Sequence, residues 1–431
     1  MSPELSEHRD ADLHARVLPT DKGLPAWATG LRLAEFVRRR PTLAEGGFLY
    51  PLLTADASAL TANIDAMAGY VAAHGAELCP HGKTTMSPEL FRRQLEAGAW
   101  GVTAATISQV RAYRSFGIDR ILLANELVDP AGLDWVFAEL DRDPGFDFYA
   151  YVDSPAGVES VRAASARRGA GRPLQILVEL GPPGGRTGCR TAADALELAR
   201  AVRSLEGTRL AGVAGYEGVL GHDRKPATVA AVRRYLADLR SLLDTVAADE
   251  PDAEDAPRDG GELLVTAGGS AYFDLVVDEL GPTATGGRAR LVLRSGCYIT
   301  HDHVLYAGIG PAASGNGPPL RPALRLWAQI LSVPEPGLAL AGFGRRDCSF
   351  DAGLPVPLHR LAGEQRLEPV TQAEVVGLND QHAFLRHDGG LDVGDVLAFG
   401  ISHPCTTFDK WRVIPVVDDA LTVTDCLTTY F

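Results

Sequence analysis

Between residues 76 and 296 eight short, apolar, β-rich runs alternate with stretches suited to amphipathic helices, and no other feature of the chain narrows its possible folds as much. The runs are AELCPHGK (76–83), WGVTAA (100–105), ILLANEL (121–127), FYAYVD (148–153), QILVEL (175–180), LAGVAGYEG (210–218), LLVTAGG (263–269) and ARLVLRSG (289–296). Between them lie patterns such as SPELFRRQLEAGA and SPAGVESVRAASARRG. Parallel strands need a crossover between them, so strand–helix repetition implies a parallel sheet. Eight such units are the number that closes a (β/α)8, TIM-like barrel of about 250 residues. One earlier run, FLYPLL (48–53), falls outside this count and is assigned to a neighbouring domain.

After about residue 300 the pattern changes. Gly/Pro clusters such as GPAASGNGPPLRP separate alternating runs (ALRLWAQILSV, GLALAGFG, AEVVGLND, HAFLRH, DVLAFGIS), which predicts a mostly antiparallel β domain. The expected division is a barrel over 46–298 and a β domain over 299–431, with 1–45 packing on the latter. The stretch 244–262, acidic and punctuated by Pro and Gly, reads as an exposed excursion before the seventh barrel strand.

A net charge of −14 removes the usual driving force for binding nucleic acid or an anionic membrane, so a small-molecule partner is expected. The N-terminus lacks the basic start and apolar run of a secretory signal, and no apolar run approaches a membrane span. Six cysteines at 79, 189, 297, 348, 405 and 426 show no paired spacing. Reduced thiols in a cytoplasmic protein account for them better than a disulfide framework.

In such barrels chemistry sits where strands end and the following loops begin. The strand ends bring forward Lys83, Asn125, Asp153, Arg186 (just past Glu179), Tyr216, Gly268-Gly269-Ser270 and Gly296-Cys297-Tyr298. Lys83 is one of only four lysines. At the buried mouth of a strand a lysine loses hydration, its pKa falls, and its amine can attack a carbonyl to form a Schiff base; a loop lysine reaching back to solvent is the alternative. TAGGS (266–270) and RSGCY (294–298) end the seventh and eighth units, whose loops often hold a phosphate through backbone N–H groups, although glycines also simply make turns. The glycines of VELGPPGGRTGCR (178–190) would let Arg186 fold over the barrel mouth to meet an anionic oxygen, against the alternative of an ordinary surface turn. In GISHPCTTFDKW (400–411), His403 and Cys405 alternate; on an extended backbone both would project from one face, and imidazole plus thiolate suits zinc. Two ligands are too few for a structural zinc site but can serve a catalytic one completed by water and substrate. His301 and His303 have metal-like spacing, yet no cysteine or carboxylate array fixes a role for them, and they are read as loop residues.

Taken together, these pieces resemble the fold-type III pyridoxal-phosphate enzymes, in particular the D-serine dehydratase and D-threonine aldolase family. PHGKT (80–84) resembles that family's lysine motif, which implies that Lys83 carries the cofactor with His81 beside it. LGPPGGRTG resembles its Arg-Thr-Gly segment, implying that Arg186 contacts the cofactor's phenolic oxygen. GYEGVLGH (215–222) resembles the stretch where a tyrosine borders the cofactor, here Tyr216, with His222 six residues on. AGGS and SGCY are similar to the phosphate loops, and HPC to the metal pair. Where the family often has a histidine after the motif's threonine, this chain has Thr84-Thr85-Met86.

The resemblance implies pyridoxal 5'-phosphate, zinc or another divalent metal, a D-amino acid substrate and a homodimer. Zinc on a 3-hydroxyl would make it a leaving group, giving D-serine dehydratase chemistry with pyruvate and ammonia as products. Deprotonating the same oxygen, with His222 as base, would give a D-threonine aldolase releasing glycine and an aldehyde. Family aldolases typically resemble this site with a carboxylate where Cys405 stands, so the cysteine favours the dehydratase. A metal-free racemase, a non-catalytic cofactor-binding protein and a sugar- or phosphate-processing barrel are the remaining alternatives.

Overall fold

The computed structural model describes residues 15–249, 262–363 and 366–431. Eight parallel strands form the first sheet: β2 (Glu77–Leu78), β3 (Val102–Ala104), β4 (Arg120–Glu126), β5 (Asp147–Val152), β6 (Leu174–Leu180), β7 (Thr208–Gly215), β8 (Leu263–Ala267) and β9 (Ala289–Leu293). The order around the sheet is β2-β9-β8-β7-β6-β5-β4-β3. Trp100 N–H to Leu78 O at 2.7 Å and Thr103 N–H to Pro80 O at 2.9 Å close it into a barrel. The first strand is much shorter than the apolar run 76–83 because Pro80 has no N–H to give to a ladder.

These strands are buried on both faces, which is why they read as continuous apolar runs rather than alternating ones. Inward-facing Cys79, Trp100, Leu122, Tyr149, Tyr151, Leu177, Ala211, Ala214, Leu264 and Val292 pack together, while alternate residues such as Phe148, Ala150 and Val152 pack outward in the larger core. The intervening helices start where the sequence offers a cap: Asp56, Thr106, Asp129, Ser154 and Thr191 each accept a hydrogen bond from the backbone N–H three residues on.

The second sheet has ten strands. They are β1 (Leu52–Asp56), β10 (Leu324–Glu335), β11 (Leu338–Ala341), β12 (Val356–Ala362), β13 (Arg366–Pro369), β14 (Ala373–Leu378), β15 (Ala383–His387), β16 (Val396–Gly400), β17 (Val413–Val417) and β18 (Val423–Thr428). The pairings are antiparallel except β1 with β17. The strand β1 falls within the span read from sequence as barrel, 46–298, yet it lies between β10 and β17 and so serves this sheet; the barrel's own elements begin with the helix Ala57–Ala73. Residues 15–45 also pack here. Val17, Leu24, Phe36 and Leu43 share a core with Trp327, Val413 and Val423, and the Lys22 ammonium sits 4.1 Å from the centre of the Trp411 ring while bonding Asp347. Of the acidic stretch 244–262, residues 250–261 lie outside the described residues, and the part before them continues the helix Pro226–Ala248.

Among the described residues, no helix is long and apolar enough to cross a membrane. All six cysteines are free thiols.

Candidate active site

A cleft of about 810 Å³ opens at the C-terminal ends of the barrel strands and is walled on its far side by Asp351, His403 and Cys405 of the β domain. Its volume lies in the ~300–1,000 Å³ range of sites for cofactor-sized ligands.

Lys83 enters this cleft from a single 3-10 turn, Gly82–Thr84, that follows β2. The turn is pressed against the barrel wall. A Cβ at Gly82 would stand 2.6 Å from the Tyr113 hydroxyl and 2.8 Å from Phe91, so that position cannot carry a side chain without displacing two buried rings. Loss of hydration holds the Lys83 amine below its ordinary pKa; Arg186 and Arg294 lower it further, and the thiols of Cys405 and Cys297 partly offset them. His81 is kept far below its usual pKa by burial and then by Lys83, so its ring is neutral, and its Nδ1 has no hydrogen-bond partner among the described residues.

Arg186 is positioned by the loop after β6. Gly188 N–H donates to Asp153 Oδ2 at 3.0 Å, and the Arg190 guanidinium donates to the carbonyls of Gly185, Arg186, Thr187 and Gly188. Gly188 has φ +98°, and a Cβ there would lie 2.3 Å from Gly181 N, so only glycine fits. The loop thereby lays the Arg186 guanidinium over the Tyr216 ring, 4.5 Å from its centre. Tyr216 is fixed in turn through Tyr235, whose hydroxyl accepts from Tyr216 N–H at 2.9 Å and donates to Leu180 O at 2.6 Å, tying the ends of β6 and β7. His222 stands exposed at the cleft's rim.

The two glycine loops face the cleft with a different wiring from the one expected. Gly268 and Gly269 N–H both donate to the buried carboxylate of Glu217, at 3.1 and 2.7 Å. Those groups are therefore spent on holding the loop. The N–H groups of Ser270 and Gly296 have no acceptor among the described residues and remain available to an anion, and Cys297 N–H bonds Ser270 Oγ at 3.2 Å. Tyr298 does not line the cleft: its ring is buried behind the loop and its hydroxyl accepts from Gln94 Nε2 at 2.8 Å.

The metal pair is also assembled differently. Cys405 begins a short helix, Cys405–Phe408, so the pair does not alternate on a strand. The turn still brings both donors together, and Cys297 joins them: one donor atom from each of Cys297, His403 and Cys405 lies within 4.8 Å of the others. Cys297 Sγ is 3.4 Å from Cys405 Sγ, and Thr84 Oγ1 is 3.4 Å from Cys405 Sγ. The Cys297 thiol, opposed by burial and assisted by His403 and Thr84, holds Cys405 far below the ordinary thiol pKa. Burial alone would lower His403, but the Cys405 thiolate and Asp351, 2.9 Å from Nδ1, raise it to about 9. Thiolates and an imidazole at these separations fit a divalent metal.

Four cleft residues had no role in the sequence reading. Arg294 is buried, donating to Thr266 Oγ1 and Gly215 O, both at 2.6 Å. Tyr306 is held by Asp302, which accepts its backbone N–H at 3.0 Å; Asp302 lies between the loop residues His301 and His303. Asp351 orients His403 from 52 positions away. Glu179 faces Glu126, and burial, then this neighbour, raises the Glu126 carboxyl to about 8. Such a group favours folding fully below its unfolded pKa of 4.5, and that contribution is lost as pH rises through about 8. Glu126→Gln, which mimics the protonated form, is therefore expected to melt with wild type at pH 5 and above it at pH 9; parallel melting curves across that range would refute the assignment.

Two family profiles match the chain in order: "Alanine racemase, N-terminal domain" over residues 55–254 and "Putative serine dehydratase domain" over 323–417. A D-threonine aldolase of Arthrobacter sp is 28% identical over 374 residues, covering 86% of this chain and 89% of that protein. A D-threo-3-hydroxyaspartate dehydratase of Delftia sp. (strain HT23) is 29% identical over 267 residues, covering 56% and 68%. The crystal structure of a D-threonine aldolase from Filomicrobium marinum superposes with a TM-score of 0.73 at 24% identity, covering 90% of this chain and 97% of that one. With both profiles in order on a barrel and a β domain that share one cleft, the chain combines an alanine-racemase-like N-terminal domain with a serine-dehydratase-like domain on an alanine-racemase-like fold, and it is similar along most of its length to pyridoxal-phosphate-dependent lyases of D-3-hydroxy amino acids.

Proposed function

We propose that the protein is a metal-assisted D-3-hydroxy amino acid lyase, acting foremost as a D-serine dehydratase that releases pyruvate and ammonia. The observation that carries this reading is the sulfur-containing donor set of His403 and Cys405 on the wall of the cleft that Lys83 enters.

When bound, pyridoxal phosphate supplies an electron sink for negative charge at Cα, and a divalent metal supplies a Lewis acid for the 3-oxygen. Lys83 Nζ is the group that takes the α-proton, and desolvation with the charges of Arg186 and Arg294 lowers its pKa and so eases its release of the proton it must lose to act as base. Arg186, propped on Tyr216, offers a donor to an anionic oxygen at the cleft mouth. Ser270 and Gly296 would receive the phosphate on backbone N–H groups. His403 and Cys405 would hold the metal, with Asp351 fixing the imidazole so that Nε2 is the ligand atom. Thiolate and imidazole favour zinc over harder ions such as magnesium.

A second reading, cleavage of D-threonine to glycine and acetaldehyde, is favoured by His222 at the rim, where an imidazole could take the proton of a 3-hydroxyl. Incubating the holoenzyme with D-serine, D-threonine and D-3-hydroxyaspartate, and measuring pyruvate, 2-oxobutyrate, oxaloacetate and glycine, separates the two. Pyruvate from D-serine is the expected main product. Glycine as the dominant product from D-threonine would establish the aldolase instead.

A further inference from the structure

We propose that Cys297 is a third protein ligand of the metal centre, so that this chain binds its metal through two thiolates and one imidazole and leaves one position open. The inference rests on the reading above that His403 and Cys405 hold a metal. In sequence Cys297 belongs to a glycine loop, where its expected part was a backbone contact to phosphate. The structure gives its backbone N–H to Ser270 and turns its sulfur to Cys405.

A tetrahedral zinc with Zn–S of about 2.3 Å and Zn–N of about 2.0 Å sets its ligand atoms roughly 3.5–3.8 Å apart. The sulfur pair stands at 3.4 Å and the whole donor set within 4.8 Å, so small side-chain movements suffice. Thr84 Oγ1 lies near both sulfurs, 3.4 Å from Cys405 and 3.9 Å from Cys297. A hydroxyl donor beside a pair of sulfurs is a surrounding that thiolate ligands require. Asp351 completes the arrangement by holding His403 Nδ1. Two cysteines and one histidine with a vacant fourth position is a set used by catalytic zinc. Cys297 follows β9 of the barrel whereas the other two ligands follow β16 of the β domain, so the metal would fasten the two parts of the molecule across the cleft.

X-ray absorption on the zinc-loaded holoenzyme tests this without any substitution: two sulfur neighbours per zinc near about 2.3 Å are expected, and a single sulfur overturns the proposal. In cobalt-substituted protein, Cys297→Ser and Cys297→Ala should halve the thiolate-to-cobalt absorption per bound ion. Zinc affinity, measured by competition with a chelating dye, should fall by roughly 100-fold or more, beyond what loss of an outer hydrogen bond causes. Retained pyridoxal-phosphate absorbance in the variants shows that the fold and cofactor site persist. Unchanged affinity and absorption in both variants would refute Cys297 as a ligand. If His403→Ala and Cys405→Ser lose zinc while the Cys297 variants keep it, this inference alone falls; if all of them keep it, the metal centre of the proposed function falls as well.

Discussion

Lys83→Ala is expected to leave a folded protein whose lyase activity has dropped by roughly 1,000-fold or more, in the upper part of the range for a positioned acid–base group, because in the proposed function the same amine would also anchor the cofactor covalently. The structural ground is the position of that amine, carried on a turn with no room for a side chain at Gly82 against Tyr113 and Phe91, and largely withdrawn from water within the fields of Arg186 and Arg294. Borohydride treatment followed by peptide mapping is the direct check. Wild type should carry the reduced cofactor on the peptide containing Lys83, and the variant should carry none. Cofactor fixed to another lysine in both proteins would sink the assignment. Lys22, Lys225 and Lys410 are the other three, all outside the residues that line the cleft.

The second large effect separates proton transfer from departure of the 3-oxygen. Removing the imidazole by His403→Ala is expected to strip the metal and cut pyruvate release by about 1,000-fold, the equivalent of the several kcal/mol that a Lewis acid contributes at a leaving oxygen. Exchange of the substrate's α-proton with solvent deuterium should continue, because Lys83 enters from the barrel and His403 from the β domain, on separate elements. Mass spectrometry of recovered D-serine reads the exchange, and a coupled assay reads pyruvate. Product release that survives complete loss of the metal would remove the metal from the mechanism. Loss of both signals together would instead mean that His403 supports the cofactor site as a whole.

How much of this was visible beforehand differs between the barrel and the metal centre. The eight units could be read because strands buried on both faces leave unbroken apolar runs, separated by stretches of amphipathic helical pattern. Lys83, Arg186, Tyr216 and the glycine loops stand out in the sequence because each lies at a strand end, where a local pattern suffices, and each reaches the lining of the cleft. What escaped depends on contacts between distant residues. Nothing near Gly268 shows that Glu217 will occupy its N–H, nothing near Cys297 shows that its sulfur will meet Cys405, and nothing near His403 points to Asp351. Tyr298 was misjudged for the same reason, since position in a loop does not say on which side of that loop a ring will pack. Arg294 was overlooked although it stands in the quoted RSGCY, because a strand-end arginine reads as ordinary until its burial is known.

One consequence concerns the order in which the molecule is made. Strand β1 is made before the barrel strands, yet it pairs with β10 and, at Ala55, with Val416, about 360 residues later. At about 5–20 residues per second this apolar strand waits roughly 20–70 s for its last neighbour, long enough for a barrel whose own strands are all consecutive to close first. During synthesis the barrel strands thus find their partners among themselves while β1 still lacks both of its neighbours, and the second sheet is completed only after the whole barrel has been made.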